Sequence, residues 1–229
     1  MQIKGVLFDF SGTLFRIEDA GSWLRAVLDA RGTAMEEQDL ERYARRLTAA
    51  GALPGGPPPR RIPPHLAALY ASRDRSAPLH REAYTALARQ ADLPDEDLYG
   101  ALYERHMSPE AWQPYPDAAE VLRDLRRDGT PVGVVSNIGW DLRPVFRAHG
   151  LDELVDAYVL SFEHGVQKPD PLLFRTACAL LGRDPADVVM VGDDRRADGG
   201  AAALGCDVRF VDHLPVAQRP EGLRALGLV

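Results

Sequence analysis

The chain has 229 residues, long enough to bury a substantial core without staples. An apolar content of 45% and a charged content of 27% are ordinary for a soluble globular protein, and they exclude disordered and fibrous classes. The net charge of −7 argues against general nucleic-acid binding and against an anionic membrane surface, while leaving room for a local basic site that holds a small anion.

The N-terminus, MQIKGVLFDFSG, has no basic region followed by a long apolar stretch. No run of about 18 apolar residues occurs anywhere. The expectation is a cytoplasmic protein without a secretory signal or a transmembrane helix. Residues 3–8 form a short apolar run ending at Asp9, with Gly12 as punctuation, and read as a buried strand that delivers Asp9 to a loop.

Residues 18–107 carry helical patterns at roughly 19–31, 36–50, 63–72, 79–91 and 95–106, with no convincing strand. Leu53 to Pro59 (LPGGPPP) is a connector that cannot be helical. From about 115 onward, helix and strand alternate. The helices are 117–128, 141–149 and 170–182, and the strands are 131–135, 155–161, 187–191 and 207–211. That alternation predicts an α/β fold, a parallel sheet covered by helices on both faces, whose ligands bind at the C-terminal strand ends. Asp9, Ser136 and Asp193 all fall at such ends. Cys178 and Cys206, the only cysteines, read as buried free thiols.

Four clusters carry chemistry. They are Asp9-Phe10-Ser11-Gly12-Thr13-Leu14, Val134-Val135-Ser136-Asn137, Lys168-Pro169-Asp170-Pro171, and Val191-Gly192-Asp193-Asp194 with Asp198 following. An aspartate that attacks a phosphate dianion needs its charge offset, and a divalent metal on hard oxygen ligands does this. Asp193 can supply a second carboxylate, Lys168 a point cation, and Ser136 with nearby N–H groups can hold phosphoryl oxygens. Lys168 stands out because Lys4 is the only other lysine.

In order and content the four clusters resemble the signature motifs of the haloacid dehalogenase-like hydrolases, over essentially the whole chain. The resemblance implies a doubly wound, Rossmann-like core (1–17 and 108–229) with an inserted helical cap domain (18–107). It implies a phosphatase acting on a small phosphorylated metabolite. Asp9 would be the nucleophile, and Mg2+ would sit on Asp9, Asp193 and the backbone carbonyl of Ser11. Asp194 or Asp198 would be an accessory carboxylate. Ser136 and Lys168 would hold the phosphoryl group, and Thr13 would fix the nucleophile loop. Gly12, Thr13, Asn137 and Arg16 join the expected substrate contacts. A monomer or homodimer is expected.

One position departs from the pattern. Phosphatases of this superfamily usually carry a second aspartate two residues after the nucleophile, as general acid and base, and here Ser11 stands there. His65, His80, His106 and Asp194 are candidates to replace it. The 2-haloacid dehalogenases also lack that aspartate and need no metal, which keeps dehalogenation as an alternative. A catalytically weak binding or regulatory relative is another. Carbon–phosphorus cleavage through a cap lysine fails, because no lysine lies between Lys4 and Lys168. In the cap, Arg60, Arg61, Arg73 and Arg75 are candidates to hold a second anionic group, and Trp112, Tyr115 and Trp140 flank the expected active face.

Overall fold

The computed structural model describes residues 3–228. Strand β1 (Gly5–Phe8) leads through a tight loop into β2 (Phe15–Ile17), which pairs antiparallel with β3 (Trp112–Pro114). Between β2 and β3 lie helices α1 (Ala20–Arg31), α2 (Glu37–Ala50), α3 (Ala67–Ala71), α4 (Ala77–Arg89) and α5 (Asp97–Met107). Beyond β3 the chain runs α6 (Ala118–Arg127), β4 (Val132–Ser136), α7 (Arg143–Ala148), β5 (Ala157–Leu160), α8 (Ser161–His164), α9 (Pro171–Leu180), β6 (Val188–Gly192) and β7 (Asp207–Phe210). All five expected strands are present. Among the described residues, no helix is long and apolar enough to cross a membrane.

The main sheet has the order β5-β4-β1-β6-β7, with every neighbouring pair parallel. The chain builds outward from β1 on one side and then crosses to the other. A crevice therefore opens beside β1 at the C-terminal strand ends. Alternation along the strands divides the core in two. Val6, Phe8, Val132, Val134, Val189 and Val191 face Val121, Leu122, Leu125 and Phe146. Leu7, Val135, Val188 and Met190 face Leu173, Phe174, Ala177 and Cys178 on the opposite side. The central strands β1, β4 and β6 are buried along their whole length, which is why their sequences read as continuous apolar runs. Cys178 and Cys206 are buried free thiols.

Local signals set the helix ends. Asp19 caps α1 by accepting from Gly21 N and Ser22 N, and Gly32 ends it in the left-handed conformation. In α6 the apolar positions Ala118, Val121, Leu122 and Leu125 are all buried, as their spacing predicts.

Two readings need correction. The 63–72 helix is broken into a 3-10 turn at Pro64–Leu66, the five-residue α3 and a second 3-10 turn at Arg73–Arg75. None of the α3 residues is buried, and Ser72 Oγ turns back onto Ala68 O and Leu69 O, so neither packing nor backbone bonding extends the helix. The β2–β3 ribbon was not expected, because strands of three residues are too short to show alternation.

Candidate active site

The sheet order places β4 and β6 on either side of β1, so Ser136, Asp9 and Asp193 meet at one end of the sheet. Asp9 N donates to Val191 O at 2.9 Å, which ties the residue to β6. Lys168 reaches in from the segment before α9. Its Nζ donates to Asp9 Oδ1 at 2.7 Å, Asp198 Oδ1 at 2.6 Å and Val135 O at 2.9 Å. Three ammonium donors thus meet three acceptors, and the group is buried.

Electrostatics follow from this packing. Burial pushes the Asp9 carboxyl up to about 7, with Lys168 opposing and the charges of Asp198 and Asp193 adding to it. Asp198 is also raised by burial, against the pull of Lys168. Burial lowers the Lys168 ammonium, but Asp198 and Asp9 outweigh it and hold it above its ordinary value. Lys168 is therefore a fixed cation at neutral pH.

Asp9, Asp193 and Asp198 each present a carboxylate oxygen, and these oxygens all lie within 4.8 Å of one another. Lys168 touches Asp9 and Asp198, which leaves the cluster net negative. Hard oxygens around uncompensated negative charge fit a cation such as Mg2+. His213 Nδ1 lies against Asp193 Oδ2, so a cation would meet Asp193 from its other oxygen or displace the imidazole.

Most of the expected site residues come together. Asp9, Ser11, Arg16, Ser136, Asn137, Lys168, Asp193, Asp194 and Asp198 line one cavity of about 650 Å³. Gly12 and Thr13 do not line it, which corrects their place among the substrate contacts. Thr13 is fully buried behind the loop. Gly12 has φ +84°, and a Cβ there would overlap His213 and Asp193. Its role is to let the loop turn under Asp193. Asn137 uses both ends of its amide on Lys168: Lys168 N donates to Oδ1 at 2.6 Å, and Nδ2 donates to Lys168 O at 3.1 Å. Asp194 caps the following turn, with Oδ1 accepting from Arg196 N and Ala197 N.

The connector at 53–58 closes over the nucleophile loop. Ser11 Oγ and Arg16 Nη1 each reach Gly55 O at 3.4 Å. Gly55 has φ +77°, and a Cβ there would stand 2.6 Å from Ser11 Oγ and 2.7 Å from the Trp112 ring. A serine hydroxyl can donate to that carbonyl and a carboxylate cannot, which gives a physical reason for Ser11.

Arg219 escaped the sequence reading. It is buried, stacks on Tyr115 with Cζ 3.1 Å from the ring centroid, and donates to the carbonyls of Gly12, Thr13 and Asp212. It holds the nucleophile loop from behind. Arg219→Ala is expected to cost roughly 2–3 kcal/mol, because three carbonyls, two of them in buried hydrogen bonds, lose a charged donor. A urea melt checks this, and an unchanged midpoint would show that the loop does not depend on it.

Fold and cavity together define an α/β protein with an acidic pocket at the switch point of a doubly wound sheet. A family model described as haloacid dehalogenase-like hydrolase matches residues 3–205. The chain belongs to that family. Curated relatives include a ribulose-1,5-bisphosphate 5-phosphatase of Halopiger xanaduensis, 32% identical over 57% of this chain and 54% of that one. They also include an (S)-2-haloacid dehalogenase 4A of Burkholderia cepacia, 36% identical over 54% and 53%. The chain thus spans about half the length of the curated relatives it matches. Among solved structures, a phosphatase of the family from Thermococcus onnurineus aligns with a TM-score of 0.58 at 25% identity, over 92% of this chain and 86% of that one. The L-2-haloacid dehalogenase of Xanthobacter autotrophicus aligns at 0.64 and 24% identity, over 100% and 85%, which speaks to fold alone. Arg219 and His213 lie beyond the stretch the family model matches.

Proposed function

We propose that this chain is a Mg2+-dependent phosphatase that acts on a small phosphorylated metabolite through an aspartyl-phosphate on Asp9. The observation that carries the reading is the cluster of Asp9, Asp193 and Asp198, with Lys168 bridging the buried Asp9 and Asp198 and Asp193 partly exposed, a charge arrangement suited to a divalent cation beside a nucleophilic carboxylate. Asp9, Asp193 and the Ser11 carbonyl would hold Mg2+, which when bound offsets the negative charge of the phosphate and of Asp9. A carboxylate oxygen of Asp9 attacks phosphorus and the ester oxygen leaves. Water then attacks the phosphorus of the aspartyl-phosphate, releasing phosphate and restoring the carboxylate. Ser136 binds a phosphoryl oxygen, and Lys168 does so by turning one of its three N–H groups from its present acceptors to the phosphoryl group. Asn137 is a positioning residue that fixes the backbone of Lys168.

The helical segment 18–107 is read as a cap over this site, because Leu53, Tyr70, Arg73, His80 and Tyr84 line the cavity together with Asp9. Of the four cap arginines considered from sequence, Arg73 alone lines it; Arg16 does so from the core. A cytoplasmic location and a small-molecule partner belong to the same reading.

Turnover of p-nitrophenyl phosphate and a panel of phosphorylated metabolites, with Mg2+ and with chelator, tests it. Metal-dependent release of phosphate is the expected result. Ser11 favours a second reading, since a halide leaves without a proton and dehalogenation needs no acid at that position. If no ester reacts, hydrolysis of 2-haloacids without metal would support it, and inertness toward both would support a binding role.

A further inference from the structure

The phosphatase reading leaves a gap, because the leaving oxygen of an alkyl ester needs a proton and Ser11 cannot supply it. Among the cavity's other donors, His213 Nδ1 is engaged with Asp193 Oδ2, and burial raises the Tyr70 and Tyr84 hydroxyls above their ordinary values. Asp194 is spent on its own turn. Burial holds His80 well below its ordinary value, helped by His106 and Arg73, so it is neutral, and its Nδ1 is engaged with Tyr103 Oη at 2.8 Å. His65 and His106 do not line the cavity.

Asp74 differs from all of these. It sits in the 3-10 turn Arg73–Arg75, lines the cavity with Asp9 and Lys168, and is only 3% exposed. Its backbone is fixed to the core. Asp74 N donates to Gln167 Oε1 at 2.9 Å, and Asp74 O accepts from Ser161 Oγ. Gln167 Nε2 also donates to Ala71 O at 3.1 Å, and Arg75 Nε to Gly165 O at 2.8 Å. Gln167 is the residue before Lys168, so the turn is registered directly against the lysine that holds Asp9. The carboxyl itself is loosely held, with Arg73 Nη2 at 3.4 Å and His80 Nε2 at 3.7 Å, both longer than a charge-assisted hydrogen bond. The titratable groups facing it are Arg73, Tyr70, His80, Tyr84, Tyr103 and Lys168. Burial raises its proton affinity, against the pull of Arg73 and Lys168.

We propose that Asp74 is the general acid and base of this enzyme, taking the role that Ser11 cannot fill. As the Asp9–phosphorus bond forms and the ester P–O bond breaks, the Asp74 proton passes to the departing oxygen and gives a neutral alcohol. The Asp74 carboxylate then takes a proton from the water that attacks phosphorus. The Asp9 O–P bond breaks, phosphate leaves, and both residues return to their starting states. This rests on the phosphatase reading.

Asp74→Asn tests it through two esters assayed on the same Mg2+-loaded preparation. p-Nitrophenolate leaves without protonation, whereas phenolate is a far more basic leaving group. The variant is expected to lose about 10²–10³ in kcat/KM on phenyl phosphate and less than about 10-fold on p-nitrophenyl phosphate. The ratio of the two is independent of the folded fraction, so poor folding cannot imitate it. Equal losses on both esters, or no loss on either, would overturn the assignment. So would a wild type that hydrolyses only p-nitrophenyl phosphate. A wild type inert toward both would sink the phosphatase reading itself, and the role of Asp74 with it.

Discussion

Asp9→Asn is expected to lower turnover by about 10⁴ or more while leaving the fold intact. The amide keeps the shape of the carboxylate but is no nucleophile. Lys168 Nζ keeps Asp198 Oδ1 and Val135 O as acceptors, so no buried charge is orphaned. Stability should move the other way. Burial raises the folded-state Asp9 carboxyl from 3.8 to about 7, so the folded chain favours the protonated form. That contribution is fully present below the unfolded value and is lost as pH rises through the folded one. Without metal, the wild type therefore carries a penalty near pH 8 that the asparagine variant lacks, on the order of 1–4 kcal/mol. Melts in chelator should show the variant more stable at about pH 8, with the gap narrowing toward about pH 5 and vanishing only at about pH 4. Mg2+ should stabilise the wild type more than the variant, because cation binding relieves the same crowding. A variant that unfolds, or one that keeps full activity, would contradict this account of the site.

Lys168→Met should carry the largest stability loss of any single change at the site. The ammonium compensates two buried carboxylates at once, and removing it leaves Asp9 and Asp198 facing each other. Breaking a buried pair in this way costs about 3–5 kcal/mol. The sign with pH is again fixed by the carboxyls. Both are raised by burial, and without the lysine they rise further, so acid pH lets them neutralise and recovers part of the loss. Denaturant melts should therefore show a larger deficit at about pH 8 than at about pH 5. Lys168→Arg is not expected to rescue, because a planar guanidinium fork cannot meet three acceptors arranged around one point. A methionine variant as stable as the wild type at alkaline pH would mean that the lysine is not carrying this charge.

The parts of the site that could be read from sequence are those whose position is set locally. Asp9, Ser136 and Asp193 follow short apolar runs, and a parallel sheet brings its strand ends together whatever the intervening chain does. Lys168 stood out because lysine is rare in this chain. The parts that could not be read depend on distant packing. Arg219 reaches Gly12 across 207 positions, and nothing in its neighbourhood marks it as buried. Asp74 lies in an arginine-rich stretch that looks like a solvated surface, and its burial follows only from the docking of that turn on Ser161 and Gln167. Thr13 and Gly12 were misplaced for a related reason. Their neighbours in sequence point into the cavity, while the tight loop turns these two away from it.

Acid-quench trapping followed by peptide mass spectrometry reads directly whether Asp9 carries the phosphoryl group. The enzyme is mixed with p-nitrophenyl phosphate and Mg2+ and quenched during turnover, and the peptide containing Asp9 is analysed beside that of Asp9→Asn. The expected result is a phosphoryl adduct on Asp9 that is absent from the variant. Steady release of phosphate with no adduct on Asp9, or with the adduct on another residue, would contradict it.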